Sequence, residues 1–185
     1  YLQRRPVPLE GKRVVELGCG PGLGAVAAAL LGATQVVATD GDAQLLSLTK
    51  ENFDLNIGIE SRRKCSCAEL LWGDATAATV LKPPFDVVLA ADCAALVYEN
   101  AFLDLVKTLV ALSSSTSLVL LSYQRRHKTE DTFFVALSKH FEIVKVPTLD
   151  IHPDFGTSAI TIFQLQKLPL TGAASSPEAC TDGTS

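Results

Sequence analysis

Apolar residues in this chain come in short dense runs separated by longer, more mixed segments. The runs at 13–17, 35–40, 85–91 and 117–123 are nearly continuous in Val, Leu and Ala. That texture predicts strands buried on both faces, as the inner strands of a parallel sheet are. A further strand is expected over 65–71. The segments between them read as helices. Residues 21–31 are alanine-rich and closed by Gly32. Residues 42–56 carry Leu45, Leu46, Leu48, Phe53 and Leu55, with Asp42 as the expected N-cap. Residues 100–112 form a strongly apolar helix, and 129–140 a helix capped near Thr129. Residues 141–146 and 158–166 alternate apolar with polar side chains, as the strands of an antiparallel pair do. Strands alternating with helices predict an α/β fold with a mainly parallel sheet and helices on both faces.

Length and composition add boundaries. The chain has 185 residues, 48% apolar and 19% charged, enough for one domain with a sizeable core. That domain is expected over 1–168, followed from Pro169 by a Gly/Ala/Thr/Ser/Pro-rich tail over 169–185 that reads as disordered. Because the first residue is Tyr1 and not methionine, an N-terminal portion is expected to precede it. A net charge of −4 gives no general electrostatic case for nucleic acid. The short basic groups at 62–64 and 125–128 read as solvated loops. Five cysteines at irregular spacing, with Cys65-Ser66-Cys67 lacking a second pair, predict no metal site, and Cys19, Cys65, Cys67 and Cys93, set in apolar runs, are expected as buried free thiols. Free thiols imply a reducing compartment, cytoplasmic or also nuclear. No apolar run is long enough for a membrane span, so no membrane partner is expected, and a monomer is.

The chemistry concentrates where the first strand ends. Val14-Val15-Glu16-Leu17-Gly18-Cys19-Gly20-Pro21-Gly22-Leu23-Gly24 is a strand running through a glycine-rich turn into a helix. Such a turn brings main-chain N–H groups close to a ligand. Leu23 stands where a dinucleotide fingerprint has its third glycine, and no Gly-Lys-Ser/Thr follows, so neither a dinucleotide site nor a P-loop is indicated. Glu16 would repel a pyrophosphate but suits the amino group of an amino-acid-like ligand. The pattern Glu-x-Gly-x-Gly-x-Gly resembles that of S-adenosylmethionine-dependent methyltransferases, which makes Glu16, Gly18, Gly20 and Gly22 candidate cofactor residues.

Ligands of such sheets bind beyond the carboxyl ends of the strands. The second strand ends on Asp40-Gly41, with Asp40 about 20 residues past Gly20, where an acid accepts from ribose hydroxyls. The third is followed by Trp72-Gly73-Asp74, an indole wall for adenine and an acceptor for its amine. The fourth ends on Ala91 and Asp92, placed to line the methionine arm and the reacting centre.

With these in view, the chain resembles the protein-lysine methyltransferases of the methyltransferase-16 family over roughly residues 12–167. The matching text is V-V-E-L-G-C-G-P-G-L-G, V-V-A-T-D-G-D, T-K-E-N-F-D-L-N, L-L-W-G-D, F-D-V-V-L-A-A-D and F-L-D-L-V-K-T-L. The resemblance implies a Rossmann-like seven-strand sheet whose last strand inserts antiparallel beside the fifth. It also implies S-adenosyl-L-methionine as cofactor and a protein lysine as acceptor. Members carry Asp-x-x-Tyr after the fourth strand; here Asp92 is followed by Cys93-Ala94-Ala95-Leu96-Val97 before Tyr98. Asp92 and Tyr98 are therefore the expected catalytic pair, with the tyrosine displaced along the loop. Tyr123, Gln124 and Arg125, at the end of the fifth strand, are candidates for the substrate side, Tyr123 equally for the core rim. Two other expectations stay open: a small-molecule N-methyltransferase, and a module that binds cofactor and partner without turnover.

Overall fold

Val14, Val15 and Leu17 are fully buried because β1 (Arg13–Leu17) lies in the middle of a seven-stranded sheet and has packed layers on both faces. In this computed structural model, which describes residues 1–2, 9–95, 100–155 and 158–169, the strand order is β3-β2-β1-β4-β5-β7-β6. The other strands are β2 (Gln35–Asp40), β3 (Cys65–Glu69), β4 (Val87–Ala91), β5 (Leu118–Gln124), β6 (Phe141–Lys145) and β7 (Ile160–Lys167). β1 to β5 are mutually parallel, and β7 runs antiparallel between β5 and β6. This is the expected fold, including the antiparallel last strand beside β5.

The pleat sorts side chains between two cores. Val15, Leu17, Val88, Ala90, Val119 and Leu121 pack with Phe102, Leu105 and Leu109 on one face. Val14, Val36, Ala38, Val87 and Leu89 pack with Ala25, Ala28, Ala29 and Phe53 on the other. Alternation at period two along each strand is what divides them.

The helices follow from the same bookkeeping. α5 (Phe102–Leu112) buries Phe102, Leu105, Val106, Leu109 and Leu112, a single stripe at helical spacing. α2 (Ala43–Asn56) buries only Leu46, Thr49 and Phe53, and Asp42 caps it by accepting from the Gln44 N–H, as expected. α1 (Leu23–Leu30) is shorter than the predicted 21–31. Two short helices escape the periodicity: α3 (Ile59–Arg62) and α4 (Ala75–Val80). The segment expected as a helix over 129–140 opens with a 3-10 turn, Lys128–Glu130, before α6 (Asp131–Leu137). Its cap is His127 and not Thr129: the imidazole accepts from the Thr129 N–H, while Glu130 reaches back to the main chain.

Candidate active site

Every parallel strand of the sheet delivers its carboxyl end to the same edge. The loop after β1 is shaped by Gly22, which caps α1 in the left-handed region at φ +82°. A Cβ there would lie 2.5 Å from Thr49 Cγ2 of α2, so close approach and backbone conformation both require glycine. Thr49 Oγ1 donates to the Gly20 carbonyl at 2.7 Å, and Asn52 Nδ2 to the Pro21 carbonyl at 2.8 Å. The loop is thus fixed to α2 from below.

Glu16 is placed differently from its expected role. Its carboxylate does not line the cavity; it lies buried under the start of α1 and accepts from the Ala25 N–H at 2.8 Å. Burial raises its carboxyl, hydrogen bonds from Ala25 and Gly24 pull it back and the charge of Asp40 adds to the rise, so that it is raised to about 7. Gly24 makes room for it, since a Cβ there would run into the carboxylate. Glu16 therefore holds the turn in shape from behind, because the free N–H groups of a helix start attract an acid.

Asp40, at the end of β2, accepts from the Gly20 N–H at 2.9 Å through Oδ2 and from the Asp42 N–H at 3.0 Å through Oδ1. A carboxylate has about four acceptor positions, so roughly two stay available to a ligand diol.

A cavity of about 780 Å³ opens above these strand ends, lined by Gly18, Gly20, Asp40, Gly41, Asp42, Leu45, Leu70, Leu71, Trp72, Ala91, Asp92, Cys93 and Ala101. It brings together Gly18, Gly20, Asp40, Gly41, Trp72, Ala91 and Asp92 of the residues expected at the site. It does not include Gly22, which faces α2, nor Asp74, whose carboxylate caps α4 by accepting from the Ala77 N–H at 2.9 Å. Tyr98 lies outside the described residues. Cys93 Sγ, donating to the Leu17 carbonyl at 3.2 Å, closes the floor between β1 and β4. Burial pushes its thiol up to about 12, so it is an apolar lining group and not a nucleophile.

Asp92 turns the chain away from β4 in the left-handed region, φ +59°, with its N–H bonded to the Ser122 carbonyl. Aspartate is among the few residues that tolerate this conformation. Its two oxygens are gripped by Arg126 Nη1 and Nη2 at 2.6 and 2.9 Å. The Arg126 N–H in turn is held at 3.0 Å by Glu130 Oε2, which also takes the Tyr123 hydroxyl at 2.6 Å and the His127 N–H at 3.3 Å. Glu130 is fully buried. Tyr123 is therefore core rim, its phenol raised by burial and by Glu130, and no wall of the cavity. Arg125 pairs with Asp131 at 2.7 Å. Sequence reasoning placed Arg125 at the site and missed Arg126 and Glu130. Two adjacent arginines in a basic run carry no local mark of which one reaches back to Asp92.

Comparisons with known proteins bear on the family and the fold. A model of the lysine methyltransferase family matches residues 2–140. Protein N-lysine methyltransferase METTL21A of Mus musculus is 37% identical over 155 residues, 82% of this chain and 69% of that protein. Protein-lysine N-methyltransferase EFM6 of Saccharomyces cerevisiae is 31% identical over 169 residues, 83% of this chain and 66% of that protein. The chain thus spans about two thirds of the length of these curated relatives. Among solved structures, a ribosomal protein L11 methylase from Lactobacillus delbrueckii subsp. bulgaricus shares the fold at TM-score 0.63 and 22% identity, covering 90% of this chain and 74% of that one. Aeropyrum pernix fibrillarin, solved with natively bound S-adenosyl-L-methionine, does so at 0.64 and 13% identity, covering 86% and 68%. The chain belongs to the lysine methyltransferase family.

Proposed function

We propose that this domain transfers a methyl group from S-adenosylmethionine to the side-chain nitrogen of a lysine on a partner protein, with Asp92 at the transfer end of its cavity. The observation that carries this is that a single cavity is lined by Asp40 after β2 and Asp92 after β4, on either side of the glycine loop after β1. Two inter-strand spacings put the strand ends roughly 10 Å apart, room for a nucleoside arm and an amino-acid arm between them.

The cofactor fits the residues present. The volume suits a ligand of that size. Asp40 retains acceptor capacity for a ribose diol, Trp72, Leu70 and Leu71 offer an apolar wall to adenine, and Gly20, with open space where a Cβ would stand, lets the methionine arm approach the main chain. When bound, S-adenosylmethionine supplies a methyl group already activated on a sulfonium. What remains for the protein is to present an unprotonated amine in line and dry. A lysine has a reference pKa of about 10.4, so it must lose a proton and water on entry. Ala91 and Cys93 give the floor an apolar surface, and Asp92 can accept an amine N–H and so aim the lone pair. Among the described residues no side chain at the site stands out as a dedicated base.

The test is tritium transfer from labelled S-adenosylmethionine to lysate proteins, with the labelled residue located by mass spectrometry. Label on lysine is expected. Asp92→Ala should cut the rate at least tenfold while S-adenosylhomocysteine affinity changes less than twofold. Label on a metabolite and not on protein would overturn the proposed acceptor.

A further inference from the structure

A carboxylate beside an acceptor lysine works against methyl transfer. An unpaired negative charge within a few ångströms favours the ammonium form, and an ammonium has no lone pair to attack with. Yet Asp92 is the acid at the reacting end of the cavity. The structure holds the resolution in the two bonds from Arg126 to the Asp92 carboxylate, 2.6 and 2.9 Å long. The bidentate geometry uses one acceptor position on each oxygen. Each oxygen still has another, so the carboxylate can accept from an amine while its charge is matched.

We infer that Arg126 is a positioning residue that cancels the charge of Asp92, so that the carboxylate orients the incoming lysine amine without holding it as an ammonium. This rests on the methyl-transfer function proposed above. The geometry around Arg126 is built for the task. Its main-chain N–H is anchored on buried Glu130, which is itself tied to Tyr123 and to His127. The anchor fixes where the guanidinium comes from, and Asp92 fixes where it ends, in a left-handed turn that directs the carboxylate off the end of β4.

The charged and titratable groups facing the pair among the described residues are few. Glu130, which accepts from the Arg126 main-chain N–H and from the Tyr123 hydroxyl, and Tyr123 both act on Arg126. Cys93, next to Asp92, is pushed up to about 12 by burial and stays a neutral thiol. Glu16 and Asp40 act on Cys93 from the glycine-loop side. Asp131 is taken by Arg125. Among the described side chains Arg126 is thus the cation bonded to Asp92, and its charge adds to that of the sulfonium when the cofactor is bound. The pair is partly exposed in the free protein, 42% for Arg126 and 58% for Asp92, so solvent weakens its effect until a substrate covers it.

The experiment reads the pH dependence of tritium transfer from S-adenosylmethionine into the most strongly labelled protein band of a lysate. Rates are measured from about pH 6.5 to about pH 10 with saturating cofactor. Arg126→Gln should move the rising limb upward by about one pH unit, a rate loss of about tenfold near neutrality that recovers in alkali. Arg126→Lys, which keeps the charge, should hold the limb in place. Asp92→Asn with Arg126→Gln removes both charges but leaves an amide oxygen to accept from the amine, and should return the limb to its wild-type position. S-adenosylhomocysteine titration of each variant, unchanged within twofold, shows that the fold and cofactor site persist. A merely structural arginine would lower the rate by the same factor at every pH. That result, or an Arg126→Gln profile superimposable on the wild type, overturns the inference. A wild-type protein that labels nothing overturns the function itself, and this inference with it.

Discussion

Asp40 holds two main-chain N–H groups of the site and keeps acceptor capacity to spare, which makes it both a brace for the glycine loop and a contact for a diol. Asp40→Ala should weaken S-adenosylhomocysteine binding at least tenfold in calorimetry, since hydrogen bonds to a charged acceptor contribute about 1.5–3 kcal/mol each. An unchanged dissociation constant would remove Asp40 from the site. Glu16 predicts a pH effect instead. Its carboxyl is raised from 4.5 to about 7 in the folded protein, chiefly by burial. Between those values the folded state keeps a proton that the unfolded chain has released. Its contribution is therefore fully present below about pH 4.5 and declines as pH rises to about 7, by roughly 3 kcal/mol. Glu16→Gln keeps an acceptor for the Ala25 N–H and cannot ionise. Its melting temperature should lack this decline, seen as the difference between variant and wild type at about pH 5 and about pH 7.5. Parallel pH dependence in both would show that Glu16 does not carry it. The glycine loop was legible because its residue types follow from a local turn. The part Glu16 plays was not, because it depends on the helix start that folds back over it.

Capping decides the elements around the cavity. Asp74 sits where the third strand hands over to α4, and its carboxylate serves the Ala77 N–H. Asp74→Ala should cost about 1 kcal/mol of stability, as lost N-caps do, and shift cofactor affinity far less than Asp40→Ala. A loss of affinity without a loss of stability would return Asp74 to an adenine-binding role. Gly22→Ala meets both a positive φ and the Thr49 side chain. It should lower the melting temperature by several degrees and weaken cofactor binding together, because one turn serves the α1–α2 contact and the cavity. These elements also show why part of the fold was readable. The inner strands announce themselves since both their faces are buried, and α5 since its apolar stripe is long. The residues of α4, Ala-Thr-Ala-Ala-Thr-Val, bury only Ala78, so no period could reveal them. The start of α6 differs because a histidine, not a Ser, Thr, Asp or Asn, makes the cap: His127 accepts from the Thr129 N–H while Glu130 accepts from the His127 N–H.

At the scale of the molecule, the sheet order places the ends of β2, β1 and β4 side by side, and the site exists only because residues far apart in sequence meet there. Asp92 and Arg126 are 34 positions apart, Gly20 and Asp40 are 20. A ligand bridging these strand ends should stabilise the whole cooperative unit. With ligand at about a hundred times its dissociation constant the gain is about 2.7 kcal/mol, a rise of about 5–10 °C in melting temperature for a domain of this size. The measurement that tests the account most directly is calorimetric titration of the wild-type chain and Asp40→Ala with S-adenosylhomocysteine, using NAD as control. The account predicts saturable one-to-one binding of S-adenosylhomocysteine by the wild type, binding at least tenfold weaker by the variant, and none of NAD by either. Saturable binding of NAD, or equal affinity of wild type and variant for S-adenosylhomocysteine, would contradict it.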